Sequence, residues 1–200
     1  MARRGHHTLE QIRNMVLIAA EELVIEGGMP QLRVRNIALK IGYTVGSIYM
    51  VFDNMNDLAL HIKGRTLDDL AQQMEQVQCV DSNQCLEKLA NCYIEFANNN
   101  YNRWSMIFEQ RMPEDAVAPE WYQQKVDAIY ALFEAQIAKL NPALSAAKCK
   151  QIALTFLAGI HGICVFMLTT RIGCLNENDL QESVTLLIKR FVHDSWVNVY

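Results

Sequence analysis

Four residues in the stretch RVRNIALKIGYTVGSIYMVF, Arg33 to Phe52, are of types that meet a phosphate or a base edge: Thr44, Gly46, Ser47 and Tyr49. A threonine hydroxyl caps a helix by accepting a backbone N–H, and glycine and serine in the next turn leave the backbone open to close approach. Tyr49, one turn further on, carries a hydroxyl that can donate to a phosphate oxygen. Glycine and serine are poor helix formers, so helix stability does not account for them. Room for another molecule at the start of the helix does.

Two short helices would hold these residues. Ile37, Ala38 and Ile41 share one face of the first, Gly42 stands at the turn, and Val45, Ile48, Tyr49 and Phe52 fall along the second. The spacing of Ala38, Gly42 and Ile48 is that of a helix-turn-helix over residues 33–52. Ala38 lets the second helix cross close above it, Gly42 permits a positive φ, and Ile48 fills the space between the helices. The second helix is then a recognition helix, which enters the major groove of double-stranded DNA with its N-terminal residues against bases and phosphates. The DNA-binding set expected from this placement is Thr44, Val45, Gly46, Ser47, Tyr49 and Phe52. Arg33 and Arg35 are expected as phosphate contacts, with Arg3 and Arg4 in a basic N-terminal arm that reaches a minor groove.

The charge distribution agrees with that placement. The net charge is −4, yet residues 1–65 hold eight Lys and Arg against six Asp and Glu, and the remaining residues hold ten against sixteen. The front is basic and the rest acidic, which carries weight beside a nucleic-acid motif.

Half of the residues are apolar, enough for a real core, and apolar positions recur every three to four residues throughout. An all-helical chain of about nine helices is expected. The first runs from about Leu9 to Glu26 behind Thr8 as N-cap, followed by the two short helices. A fourth runs from about Asn54 to Gln78, a fifth over Cys85 to Ala97, and a sixth over about Arg103 to Gln110. The seventh is expected from Pro119 to Lys139, the eighth from Ser145 to about Arg171, and the ninth from Asp179 onwards. The basic-to-acidic shift falls inside the fourth helix, so an N-terminal three-helix domain over residues 1–66 and a larger helical domain over residues 67–200 are expected to share it.

Met1 to Thr8 has no apolar core of a secretory signal, so a cytoplasmic protein is expected. Ile152 to Leu168 is apolar apart from Thr155 and His161, but it falls just short of a membrane span and contains Gly159 and Gly162. No membrane association is expected of it. The six cysteines form no C-x-x-C pair and are read as reduced, with a zinc site from Cys79, Cys85 and a distant histidine set aside. No metal and no cofactor are expected. Neither H-E-x-x-H, E-x-x-H, G-x-S-x-G nor a phosphate-binding glycine loop occurs, so no catalysis is expected.

Ala19, Gly27, Ile37, Ala38, Gly42, Gly46, Ser47, Ile48, Tyr49, Phe52 and Leu58 together resemble the DNA-binding domain of the TetR family of bacterial transcriptional regulators, over about Leu9 to Leu67. Three positions depart from that pattern: Val45 where a basic residue is common, Val51 where a histidine is common, and Met55 where a lysine is common. Val45 is left to contact a thymine methyl. His161-Gly162 is similar to a pair found in one subgroup of the family, although Leu157 stands where that subgroup has tryptophan.

The resemblance implies a homodimer on a palindromic operator, most simply a repressor, with a C-terminal domain that binds a small apolar or amphipathic effector. Trp104, Met106, Phe108, Tyr130, Phe133, Phe156, His161 and Met167 could line an effector pocket or simply fill core. His161 is the best single candidate, because a polar group in so apolar a helix needs a partner. Ile160, Phe166, Leu187, Ile188 and Phe191 are expected at the dimer contact on the eighth and ninth helices. A second domain that binds a protein partner instead of a small molecule is the alternative.

Overall fold

The computed structural model describes residues 7–109, 118–169 and 177–193. Among them are nine α-helices: α1 (Leu9–Gly27), α2 (Val34–Ile41), α3 (Val45–Tyr49), α4 (Met55–Glu75), α5 (Ser82–Asn99), α6 (Tyr101–Glu109), α7 (Glu120–Leu140), α8 (Ala146–Thr169) and α9 (Glu177–His193). No strand occurs among the described residues. A 3-10 turn, Met29–Gln31, which the periodicity does not anticipate, joins α1 to α2. Helix α5 begins three residues earlier than its apolar pattern, because Asp81 caps it through Gln84 N–H at 2.9 Å.

The chain divides into two compact units, and the division is not the simple one at residue 66. The first unit takes residues 1–66 and also 102–117; the second takes 67–101 and 118–200. Helix α4 contributes residues to both.

In the first unit, Ile12, Val16, Ala19, Ala20 and Val24 of α1 pack with Ile37 and Ala38 of α2, Ile48 of α3, and Leu58, Ala59 and Ile62 of α4. Thr8 opens α1 with a capping box, its side chain accepting from Gln11 N–H while Gln11 Oε1 accepts from Thr8 N–H. Met106 of α6 completes this core at zero exposure. Polar ties hold α6 there as well. The Arg103 guanidinium pairs with Glu21 of α1 at 2.7 Å, Lys63 Nζ donates to Ile107 O at 3.4 Å, and Asn102 Nδ2 donates to Ile25 O at 2.9 Å.

The second unit is built on α5, α7, α8 and α9. Its core contains Leu86, Leu89, Tyr93 and Phe96 of α5, Ile129 and Phe133 of α7, Ile152, Phe156 and Ile160 of α8, and Val184 and Ile188 of α9. Helix α8 is long and apolar enough to cross a membrane by length and composition alone, but its Ile152, Ala153, Phe156, Leu157, Ile160 and Cys164 are buried in this core. Gly159 lets α9 come close, since a Cβ there would meet Leu187 Cδ2 at 3.1 Å.

Candidate functional site

The turn between α2 and α3 is set by Gly42, at φ +71° and ψ +28°, a left-handed conformation that costs any residue with a Cβ. Tyr43 N–H donates to Ala38 O at 3.0 Å and Gly42 N–H to Leu39 O at 3.3 Å, the two bonds of a Schellman ending. Nothing lies within 4 Å of where a Gly42 Cβ would stand, so the backbone angle alone demands glycine. Thr44 then starts α3, its Oγ1 accepting from Ser47 N–H at 3.2 Å and lying 3.0 Å from Ser47 Oγ. That cap uses the Ser47 amide, so the first turn offers side-chain hydroxyls rather than that amide to an anion.

Thr44, Gly46 and Tyr49 are exposed, and Val45 and Ser47 are partly so, while Ile48 is fully buried beneath them. A Cβ on Gly46 would meet only Thr44 Oγ1, at an ordinary 3.7 Å. The fold therefore makes no packing demand for glycine at this position. Arg33 and Arg35 are exposed at the start of α2, with Arg33 Nε donating to Pro30 O at 3.0 Å. Arg3 and Arg4 lie outside the described residues.

Phe52 is a correction. Its side chain is 3 % exposed and belongs to the core of the first unit, so it is not a DNA contact. Helix α3 ends at Tyr49 and the next residues turn the chain, which brings the ring under Arg13, whose guanidinium lies 4.3 Å from the ring centroid. Arg13 Nη1 donates to Val51 O at 2.8 Å and Nη2 lies 2.7 Å from His61 Nε2. These bonds anchor the C-terminal side of the motif to α1 and α4. Sequence reasoning missed Arg13, and an i, i+4 relation between Ile48 and Phe52 was the signal that Phe52 shares the buried face. A further contact lies at the other side of the motif, where His7 Nδ1 and Tyr43 Oη are 2.6 Å apart.

The expected pocket residues separate between the two units. Trp104, Met106 and Phe108 sit on α6 and belong to the first unit, where Met106 is core and Phe108 is exposed. They are therefore removed from any site within the second unit. Of the remaining five, Phe133 and Phe156 are buried in ring contact, with centroids 5.7 Å apart. Tyr130, His161 and Met167 are partly buried. His161 Nδ1 lies 2.9 Å from the hydroxyl of Tyr93, a buried residue the sequence did not single out. Burial holds the His161 pKa below the usual imidazole value and raises those of Tyr122 and Tyr130, so each of these groups stays neutral near pH 7.

Four of the five expected dimer residues pack wholly or partly within their own unit. Ile160 and Ile188 are buried in their own unit, Leu187 packs over Gly159, and Phe191 stacks on Phe156 with centroids 5.0 Å apart. Helix packing within the unit takes the stripe that α9 shows in sequence. Phe166 is exposed, and it shares its face with exposed Leu154, Ala158, Gly162 and Val165 at helical spacing; Leu186 of α9 is exposed too.

Comparison with known proteins places this geometry. The sequence matches the model of the bacterial regulatory proteins of the tetR family over residues 16–62, and that of the Tetracyclin repressor-like C-terminal domain over residues 86–191. The chain belongs to the TetR family. It is a TetR-family transcriptional regulator with an N-terminal helix-turn-helix DNA-binding domain and a helical C-terminal domain. Solved structures share the TetR-like fold at low identity. A protein of unknown function from Rhodococcus sp. RHA1 is 18% identical with a TM-score of 0.74, the match covering 96% of this chain and 97% of that one. A tetR-family transcriptional regulator from Streptomyces coelicolor is 18% identical with a TM-score of 0.67, covering 92% and 80%. The regulator FadR from Bacillus subtilis, solved with stearoyl-CoA, is 14% identical with a TM-score of 0.62, covering 90% and 97%. Comparison with curated proteins finds no match.

Proposed function

We propose that this TetR-family regulator is a cytoplasmic homodimeric repressor that binds a palindromic operator and leaves it when a small apolar or amphipathic effector enters the second unit. The observation that carries the DNA-binding half is the bare first turn of α3. Thr44, Gly46 and Tyr49 stand exposed there with Ser47 partly so, and the protein itself makes no packing demand for the glycine. Thr44, Ser47 and Tyr49 supply hydroxyls to phosphates, Val45 supplies a methyl-sized apolar contact, and Arg33 and Arg35 supply charge.

A two-fold dimer requires two matching half-sites, their centres one helical turn apart or a multiple of it, about 34 Å. The exposed apolar face of α8 supports the dimer, because it is the kind of surface that a second copy covers in a four-helix contact. The effector reading draws support from FadR, which shares the fold and holds stearoyl-CoA. Within the second unit, Tyr93 and His161 provide a neutral hydrogen-bonding pair, suited to one polar group on an otherwise apolar molecule.

The test is a duplex selected by the protein from a random-sequence pool. The selected site should be a near-palindrome, and Tyr49→Phe should weaken binding by a similar factor on every duplex tried. By linkage, an effector that lowers operator affinity must itself bind more weakly, by the same factor, to the operator complex. A selected sequence without two-fold symmetry removes the dimeric repressor. An apolar ligand bound equally well with and without operator removes the effector switch and leaves a second unit that binds a protein.

A further inference from the structure

Two cysteines stand apart from the other described thiols. Cys79 lies in the turn between α4 and α5 and is partly exposed, beside Val80, which is 90 % exposed. Cys85, in the first turns of α5, is buried. The structure joins their sulfurs across a Cα–Cα separation of 5.2 Å, well inside the range that a disulfide spans. This corrects the expectation that all six cysteines are reduced.

The turn is held independently of the sulfurs. Lys88 Nζ donates to Gln78 O at 2.6 Å, Val80 N–H to Gln84 Oε1 at 3.0 Å, and Gln84 N–H to the capping Asp81 Oδ1 at 2.9 Å. Reduction leaves these bonds in place, so the two thiols stay close when the bridge is open. The other described cysteines are poorly placed for the same chemistry. Cys149 and Cys164 are buried, with burial pushing the Cys164 thiol up to about 12, and burial followed by the nearby Glu95 raises that of Cys92.

We infer that Cys79 and Cys85 form a thiol switch on the turn after α4, closed by a hydroperoxide and reopened by a dithiol reductant. A DNA-binding regulator works beside the chromosome, where cellular reductants keep thiols reduced and a disulfide is a transient signal more often than a staple. Exposed Cys79 attacks the peroxide: its sulfur–oxygen bond forms as the O–O bond breaks, giving a sulfenic acid and an alcohol, or water from hydrogen peroxide. The Cys85 thiol then attacks that sulfur, the S–S bond forms, and the hydroxyl leaves as water with the Cys85 proton. Two thiols are oxidised and one peroxide is reduced. A dithiol returns both thiols by two exchanges through a mixed disulfide. Closing the pair ties the segment that follows α4, the helix to which both units contribute, to the start of α5.

The experiment uses the full-length reduced protein and one equivalent of hydrogen peroxide. Tryptic mapping should find the two cysteines cross-linked within the peptide 66–88, lighter by two hydrogens. Dithiothreitol should reverse the change. The bond should form faster in native protein than in urea, and Cys79→Ser should stop it while leaving the helical circular dichroism intact. Operator affinity, read on duplexes selected from a random pool, should differ at least about fivefold between reduced and oxidised wild type, the lower end of allosteric coupling, and not in Cys79→Ser. Alkylation of both cysteines after oxidation, pairing with Cys92, or formation no faster than in urea overturns the site. Equal operator affinity of the two forms overturns the switch.

Discussion

The two units differ in what they bury. Lys63, Thr66, Arg103 and Ser105 are buried, and all four belong to the first unit; the buried residues of the second, among those described, are apolar side chains with tyrosines and cysteines. The first unit is small and uses ion pairs and caps to fix its helices at set angles: Glu21 takes both Arg65 at 3.0 Å and Arg103 at 2.7 Å. Such ties are directional, and they suit a surface that must present α3 to DNA in one orientation. The second unit relies on non-directional packing and leaves an apolar face exposed on α8. Packing of that kind specifies position less sharply and accommodates change more readily. The DNA-binding unit is thus the more sharply specified of the two.

The largest expected effect lies on the exposed face of α8. Leu154→Glu combined with Phe166→Glu should convert a dimer to a monomer in sedimentation equilibrium, each site costing about 2 kcal/mol or more of association where a hot spot is lost. Operator affinity should fall with it, since one half-site is then bound alone. The same exchange at Leu187 and Phe191 should instead destabilise the protomer, because those side chains pack on Gly159 and Phe156 within one chain. A double Leu154, Phe166 variant that remains a dimer moves the interface elsewhere.

Next in size is the place of α6. Met106→Ala should cost about 2–5 kcal/mol, the range for emptying a fully buried methionine site. Hydrogen exchange should show the loss in α1, α2 and α4 of the first unit, where Met106 packs, and leave α7 and α8 protected. Loss of protection in α7 and α8 alone would return α6 to the second unit.

The helix-turn-helix was legible because its demands are local: Gly42 for a positive φ, Ala38 and Ile48 for a close crossing, Thr44 for a cap. Helix α6 was misassigned because its partners are distant in sequence. Nothing local marks Arg103 as the partner of Glu21, and an amphipathic nine-residue helix can dock on either unit. The same limit applies to α8 and α9. An apolar stripe on a helix shows that something covers it, and only the packed structure separates Ile160 and Ile188, covered by their own unit, from Leu154 and Leu186, which are not. The Tyr93–His161 contact joins α5 to α8, so the sequence could nominate the histidine but not its partner.

A smaller effect tests whether the first turn of α3 is kept bare for DNA. Gly46→Ala places a methyl group 3.7 Å from Thr44 Oγ1, which the fold accommodates, and it should leave stability unchanged or raise it by up to about 1 kcal/mol through helix propensity. Operator affinity should nevertheless fall in fluorescence anisotropy at fixed salt. An alanine variant that binds as tightly as wild type would show that DNA does not approach this backbone.

The smallest effect sharpens the contrast in burial through pH. Burial lowers the His161 pKa in the folded chain below its ordinary value of about 6.5, so the unfolded chain takes up a proton more readily in the interval between the two values. Stability then rises with pH across that interval: the contribution is fully present above about 6.5, it is lost as pH falls towards the depressed folded value, and it levels off below that. The second unit should therefore weaken on mild acidification through this group, while His161→Gln, which keeps a hydrogen-bonding side chain near Tyr93 but cannot take up the proton, should flatten the dependence. The measurement is hydrogen exchange of the α8 amides at pH 7.5 and 5.5, corrected for intrinsic rates, in wild type and variant. If wild type and His161→Gln lose the same protection between those two pH values, the imidazole is hydrated in the folded chain, and the second unit is wetter around Tyr93 than its apolar interior suggests.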